Sequence, residues 1–276
     1  MRVELIAVPY DSGHRGERMG AGPEHLLHAG LPARLSAAGH EVGVRVVEAP
    51  GSWHSEVRTA FELAGLIAAQ VRDSRSAGAF PLVLSGNCLP AALGTVAALE
   101  APAIFWFDAH ADFNTPETTI GGFLDGMALA TVTGRCWRQL SGGIPGFNPV
   151  PESQVSLIGA RDLDPLEVVA LERSPIRRCS VADIQAEPPR DAAAGYIHLD
   201  LDVLDPSEGA ANSYATPGGP ARAEVEGAIA AIGAAAPLGG AAITAYEPAA
   251  DAGGLVAESA LVLALALVAA ASGAHG

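Results

Sequence analysis

Short apolar runs alternate with alanine- and leucine-rich stretches of helical length along the chain. The runs at Val3–Val8, Val42–Val47, Pro81–Leu84, Ala103–Phe107, Val155–Ile158, Gly195–Leu199 and Ala241–Ala245 have the length of buried strands. Among them stand Pro23–Ala38, Val57–Arg72, Cys88–Leu99, Pro165–Glu172, Ala221–Ala234 and Gly254–Ala271, each long enough for a helix. Continuously apolar strands need cover on both faces, and strand–helix alternation supplies it through parallel crossovers. The expected fold is a three-layer αβα domain with a central, mostly parallel sheet. No repeat or low-complexity linker divides the chain, so residues 1–276 are expected to form a single domain.

Ligands of such sheets bind beyond the carboxyl ends of the strands. The polar residues of this chain collect there. Ser85-Gly-Asn-Cys88, Asp108-Ala-His110-Ala-Asp112, Arg161-Asp-Leu-Asp164, Asp200-Leu-Asp202 and Glu247 each follow or close an apolar run. One acidic site on one rim is the expectation.

Composition removes several function classes. The net charge of −15 argues against nucleic acid as a partner. All 16 basic Lys/Arg positions are arginine, which excludes lysine Schiff-base chemistry and a lysine-bearing phosphate loop. Cys88, Cys136 and Cys179 are isolated and odd in number, so neither a disulfide framework nor a structural zinc site fits. The N-terminal apolar run is too short for a signal peptide, and Ala260–Ala271 is too short to span a bilayer. The latter reads as a buried helix. A cytoplasmic protein without a membrane partner is expected.

Carboxylates crowded into one pocket repel one another unless cations share it. Asp108 and His110, spaced i and i+2 on an extended segment, can reach one metal region, and Asp112 continues the alternation. Asp200 and Asp202 repeat the arrangement. A carboxylate can bridge two metals, which one imidazole nitrogen cannot. Oxygen donors with one imidazole suit Mn²⁺ and accept Fe²⁺, Co²⁺ or Zn²⁺.

The run Phe107-Asp-Ala-His-Ala-Asp-Phe-Asn-Thr-Pro-Glu-Thr-Thr119 resembles the signature of the arginase–agmatinase ureohydrolase family, as does His198-Leu-Asp-Leu-Asp-Val-Leu-Asp-Pro206. Gly20-Ala-Gly-Pro23, Ile158-Gly-Ala-Arg-Asp-Leu-Asp-Pro165, Thr216-Pro-Gly-Gly219 and Glu247 extend the likeness over nearly the whole chain in the family's order. The resemblance implies two Mn²⁺ ions sharing a hydroxide that attacks a guanidinium carbon. It implies Asp108 and Asp200 as bridging ligands, Asp112 on the first metal, and His110 and Asp202 on the second. Glu247 would pair with the guanidinium of a small-molecule substrate. Asn114 and Thr119 would face an α-carboxylate, and Asp164 and Glu167 an α-amino group. Loop capping is the ordinary alternative for these last four. Homo-oligomers, trimers or hexamers, are implied as well.

Three positions depart from the family pattern. Cys88 stands where a histidine ligand is usual, and reads either as a thiolate ligand or as a small buried helix-start residue. Its presence, with the Asn-Thr-Pro-Glu-Thr-Thr run, resembles the branch that includes Nω-hydroxy-L-arginine amidinohydrolase. Asp125 replaces a histidine that the family uses to move protons; it reads as a catalytic proton acceptor or as a loop acid. Gly121 replaces a serine at a carboxylate contact. His198 shares strand parity with Asp200 and is a candidate supporter of the site, while His14 reads as an exposed loop histidine. The leading expectation is an Mn²⁺-dependent amidinohydrolase acting on a guanidino or N-hydroxyguanidino compound. A formimidoyl or amide hydrolase of the same fold, and a catalytically silent binding protein, are the alternatives.

Overall fold

The computed structural model describes residues 1–99, 102–187 and 194–273. In chain order its elements are β1 (Arg2–Val8), β2 (Tyr10–Asp11), β3 (His14–Arg15), α1 (Gly22–His28), α2 (Leu31–Ala37), β4 (Glu41–Val46), α3 (Glu56–Ser76), β5 (Ala79–Ser85), α4 (Cys88–Ala97) and β6 (Ala103–Phe107). There follow α5 (Ala128–Val132), α6 (Arg138–Ser141), β7 (Val155–Ile158), α7 (Pro165–Glu172), β8 (Arg177–Cys179), α8 (Val181–Ala186), β9 (Gly195–Asp200), α9 (Arg222–Ala235), β10 (Leu238–Thr244) and α10 (Leu255–Gly273). Eight strands form one sheet in the order β4-β1-β5-β10-β9-β6-β7-β8, with every pairing parallel. β2 and β3 make a small antiparallel hairpin beside it.

Strand alternation splits the core into two layers. Ile104 and Trp106 of β6 face the layer holding α3, α4 and α5. Phe105 and Phe107 face the opposite layer, with α1, α2, α8, α9 and α10. All seven apolar runs are strands. The eighth strand, β8, was not foreseen, because Arg177-Arg178-Cys179 has no apolar pattern; at the sheet edge one side needs no burial.

The helical stretch at Pro23–Ala38 is two helices. Gly30 takes φ +101°, a left-handed geometry that glycine adopts without strain, and Pro32 opens α2 in its first turn. The C-terminal helix also corrects the sequence reading. At 19 residues α10 is long and apolar enough to cross a bilayer, so length does not assign it to the core. Packing does: Val256, Leu261, Leu263, Leu267 and Val268 are buried with α9 and the sheet.

The order of strands sets up the rim. β5 runs into α4 with only Gly86 and Asn87 between them. A Cβ on Gly86 would collide with the Tyr10 carbonyl and the Gly20 backbone, so this turn is pressed against β2 and the segment leading to α1. Gly86→Ala is expected to lower the thermal midpoint by about 5 °C or more. Gly65→Ala, in open space on α3, should leave it unchanged or raise it. Equal midpoints for the two variants would contradict this packing.

Candidate metal centre

The register brings the acidic strand ends together. β9 lies between β6 and β10, with Phe107 opposite Leu199 and Asp200 opposite Thr244. Ser85 of β5 is opposite Thr244 in turn. Asp108, Asp200, Thr244 and Cys88 are therefore neighbours although up to 156 residues separate them.

Two donor groups result. The ligand atoms of Cys88, Asp108 and Asp112 lie within 4.8 Å of one another, and so do those of Asp108, His110 and Asp202. Asp108 belongs to both. Asp200 joins the first group's edge, its Oδ2 3.1 Å from the Cys88 sulfur. Asp108 is fixed by donors from Trp106 Nε1 at 3.0 Å and the His110 amide at 2.7 Å. Asp200 closes β9, and its Oδ1 accepts the Asp202 amide at 2.9 Å. Asp202 lies in a single 3-10 turn, where the Ala109 amide and the Asn212 side chain hold its carboxylate.

The alternation expected from Asp108 to Asp112 is not literal strand geometry. The segment is a loop, and Asp112 enters the pocket from a left-handed backbone, φ +50°. Its buried Oδ2 has no hydrogen-bond partner among the described residues. Four buried carboxylates, one of them with an unpartnered oxygen, next to an imidazole and a sulfur are the donor set of a cation site. The residues present fit two divalent ions.

The electrostatics report the same strain. Burial and Asp202 push Asp108 up to about 6. Burial and neighbouring carboxylates hold Asp112 and Asp200 well above the usual range. Burial opposes charge on His110, but hydrogen bonds to Asp108 and Asp202 outweigh it and push the imidazole up to about 12. That proton sits where positive charge is wanted. The Cys88 thiol is also pushed up, first by burial and then by Asp125, Asp200 and their neighbours.

Asp125 caps α4. Its Oδ2 accepts the Cys88 amide at 2.8 Å and Asn87 Nδ2 at 3.0 Å, and its Oδ1 accepts the Leu89 amide at 2.7 Å. Asn87, at the N-cap, makes no such bond itself. The carboxylate thus satisfies helix amides that would otherwise be buried without partners, and burial still pushes it up to about 7. Asp125→Ala is expected to lower the thermal midpoint by about 3 °C or more. It should also lower metal occupancy. An unchanged midpoint with full metal content would contradict the capping role.

A cavity of about 310 Å³ opens over these groups. Cys88, His110, Asp112, Asn114, Thr119, Asp125, Asp164, Glu167, Asp200 and Asp202 line it. Asp108 lies beneath, at 1 % exposure. Glu247 does not border the cavity; it is half-buried two residues beyond Ala245, which does. Glu167 and Asp164 also have a capping role at α7: Glu167 accepts the Phe113 amide at 2.8 Å and the Asp164 amide at 3.3 Å. Asn114 donates to Asp164 at 3.0 Å, and the Thr119 hydroxyl accepts the Gly122 amide at 3.0 Å. His14 is exposed, stacks on Trp53 and borders a different cavity.

Three contributors escaped the sequence reading. Asn212 bonds both Asp202 and the Ala245 carbonyl. Tyr214 stacks on Phe123 at the mouth, 5.7 Å between centroids. Arg161 donates to carbonyls of Gly159, Asp202, Val203, Leu204, Thr216 and Pro217, tying the loop after Asp202 to its neighbours. Asn212 and Tyr214 sit in a loop without periodicity; Arg161 lay inside a recognised run and gave no sign of its direction.

A parallel three-layer α/β fold that gathers carboxylates, a half-buried histidine and a sulfur at the strand ends has the donor set by which metal-dependent hydrolases hold their ions. The comparisons narrow the class. The arginase family model matches residues 1–271. The chain is 30% identical to arginase of Brevibacillus brevis over 231 residues, 75% of this chain and 77% of that one. It is 31% identical over 208 residues to N(omega)-hydroxy-L-arginine amidinohydrolase of Streptomyces lavendulae, covering 73% and 74%. The structure of arginase from Bacillus subtilis superposes with a TM-score of 0.86 at 25% identity, covering 97% and 98%. The chain belongs to the arginase family and is a hydrolase of that family.

Proposed function

We propose that this protein cleaves a C–N bond of a guanidino or N-hydroxyguanidino compound at a pair of divalent cations, Mn²⁺ first among them. The observation that carries the reading is the sharing of Asp108 between two donor groups. Cys88, Asp108, Asp112 and Asp200 would hold one ion; Asp108, His110, Asp200 and Asp202 would hold the other. Such a pair, when bound, supplies Lewis acidity and lowers the pKa of water.

The chain's own residues do the remaining work. Asp162, Asp164 and Glu167 give the cavity wall an acidic character that suits a cationic substrate. The family resemblance gives Glu247 the guanidinium, a planar donor fork matched to a carboxylate, which requires its side chain to turn past Ala245 into the cavity it does not border here. The Thr119 hydroxyl, accepting from Gly122, keeps its own proton to donate to a substrate carboxylate, beside Asn114. Asp164 and Glu167 face the substrate's amino group while they cap α7. Asp125 has both oxygens engaged by α4, which favours holding Cys88 over carrying protons. Hydrolysis to hydroxyurea expels the same amine as hydrolysis to urea, so the preference for an N-hydroxyguanidine rests on the likeness to the amidinohydrolase of Streptomyces lavendulae.

The test is a panel of arginine, Nω-hydroxyarginine, agmatine, guanidinobutyrate and formimidoylglutamate on Mn²⁺- and Co²⁺-loaded protein. Urea, hydroxyurea and formamide release would be measured. Release from a guanidino compound, greatest with Nω-hydroxyarginine, is expected. Formamide from formimidoylglutamate alone, or no turnover with either metal, would overturn the reading.

A further inference from the structure

Behind Cys88 runs a file of buried polar groups that the proposed reaction leaves unused. The Cys88 sulfur is 3.2 Å from Thr244 Oγ1, and that oxygen is 3.3 Å from His198 Nε2. His198 Nδ1 is 2.9 Å from the Tyr196 hydroxyl. All four residues are at most 2 % exposed. They come from α4 and two adjacent strands, in the part of the sheet where apolar side chains would be the inexpensive choice. The His198 ring cannot turn freely, because it stacks on Trp106 at 3.7 Å and 13°. Trp106 in turn donates to Asp108, so the same packing touches both donor groups.

With a thiol at Cys88 the sulfur donates to Thr244 Oγ1; a metal-bound sulfur has no proton, and this reverses the file. A neutral imidazole has one N–H and one lone pair, and each hydroxyl has one proton to give. In the tautomer with Nε2 protonated, Tyr196 donates to Nδ1, Nε2–H donates to Thr244, and the Thr244 proton is left for the sulfur. Its other acceptor, the Leu199 carbonyl, is farther at 3.5 Å. A sulfur that ligates a metal has no proton and accepts hydrogen bonds, and one such bond draws charge away from it. A thiolate makes its metal a weaker Lewis acid, and this bond partly restores that acidity.

We infer that Tyr196, His198 and Thr244 form a buried hydrogen-bond chain that positions the Cys88 sulfur and donates a hydrogen bond to it when it binds metal. These three are positioning residues. The inference rests on the reading of Cys88 as a ligand, and the experiment separates the two. Co²⁺-loaded protein is followed by its near-ultraviolet sulfur-to-cobalt absorption band, with Co²⁺ affinity and thermal midpoint measured alongside. The wild type is expected to show the band and Cys88→Ala to lack it. Thr244→Val should move the band to lower energy and weaken Co²⁺ binding by roughly tenfold or more, and Thr244→Ser should restore both. His198→Phe keeps the stack on Trp106 and should give a smaller shift in the same direction. A lowered midpoint without a band shift would mean a purely structural role and overturn the inference. So would an unmoved band in Thr244→Val and His198→Phe. No band in the wild type would remove the Cys88 ligand, and the chain's role with it.

Discussion

Asp112→Asn is expected to cripple the enzyme and, at the same time, to stabilise the metal-free protein. Asp112 Oδ2 is buried without a partner among the described residues, and the carboxylate faces Asp108, Asp125 and Asp200. Its carboxyl stays well above the usual range, by burial first and by those charges next. The folded state is therefore penalised for ionising it, by about 1.4 kcal/mol for each pKa unit. Asparagine has the same shape without the charge. At pH 8 the metal-free variant should melt about 3 °C or more above the wild type. At pH 4 the two should converge, since the wild-type carboxyl is then protonated in the fold. With Mn²⁺ the order reverses, because the variant loses a charged ligand. Turnover should fall by about 100-fold or more. Thermal melts at both pH values, with and without metal, check the first part, and steady-state kinetics the second. A variant less stable than the wild type when metal-free at pH 8 would mean that Asp112 is held by contacts and not strained by charge.

The larger effect is expected from metal removal. Asp108 at about 6, Asp125 at about 7 and His110 at about 12 all hold protons more tightly in the fold than in the unfolded chain. For groups raised in this way, stability is fully present below the unfolded pKa and is lost as pH rises through the folded one. For the two aspartates that window opens near pH 4 and closes through about 6 and 7. For His110 it opens near 6.5 and extends to about 12. All three signs agree, so chelated protein should lose stability steadily from pH 4 to pH 8. Cations take the place of those protons. In thousandfold excess over Kd, each bound ion adds about 4 kcal/mol. The midpoint gained on adding Mn²⁺ should thus grow with pH, reaching about 10 °C or more at pH 8. A gain independent of pH would show that metal binds elsewhere.

Much of this was legible in the chain because it depends on periodicity and chain order. Continuous apolar runs fixed seven strands, and the polar residues that follow them had only one rim to occupy. What stayed hidden depends on contacts between distant segments. Asp125 reads as a catalytic proton acceptor or a loop acid and not as a cap, because nothing local shows that α4, 36 to 38 residues earlier, lacks a side-chain cap. Glu167 and Asp164 read from the motif as substrate contacts, with loop capping as the ordinary alternative, and the built turn shows them capping α7. Parity placed His198 on the site's side of β9, but its link to Cys88 runs through Thr244 on the next strand. The left-handed backbone at Asp112 leaves no trace in residue types, since aspartate adopts it without glycine's signature. Arg161 shows the converse: its six carbonyl partners are backbone atoms, which carry no sequence identity.

The central claim is that the acidic strand ends hold two cations that share Asp108. Metal analysis by inductively coupled plasma mass spectrometry tests it most directly, on protein loaded with Mn²⁺ and then desalted. Close to two ions per chain is expected, falling toward one in Cys88→Ala and below one in Asp108→Ala. One ion or none in the wild type would contradict the claim.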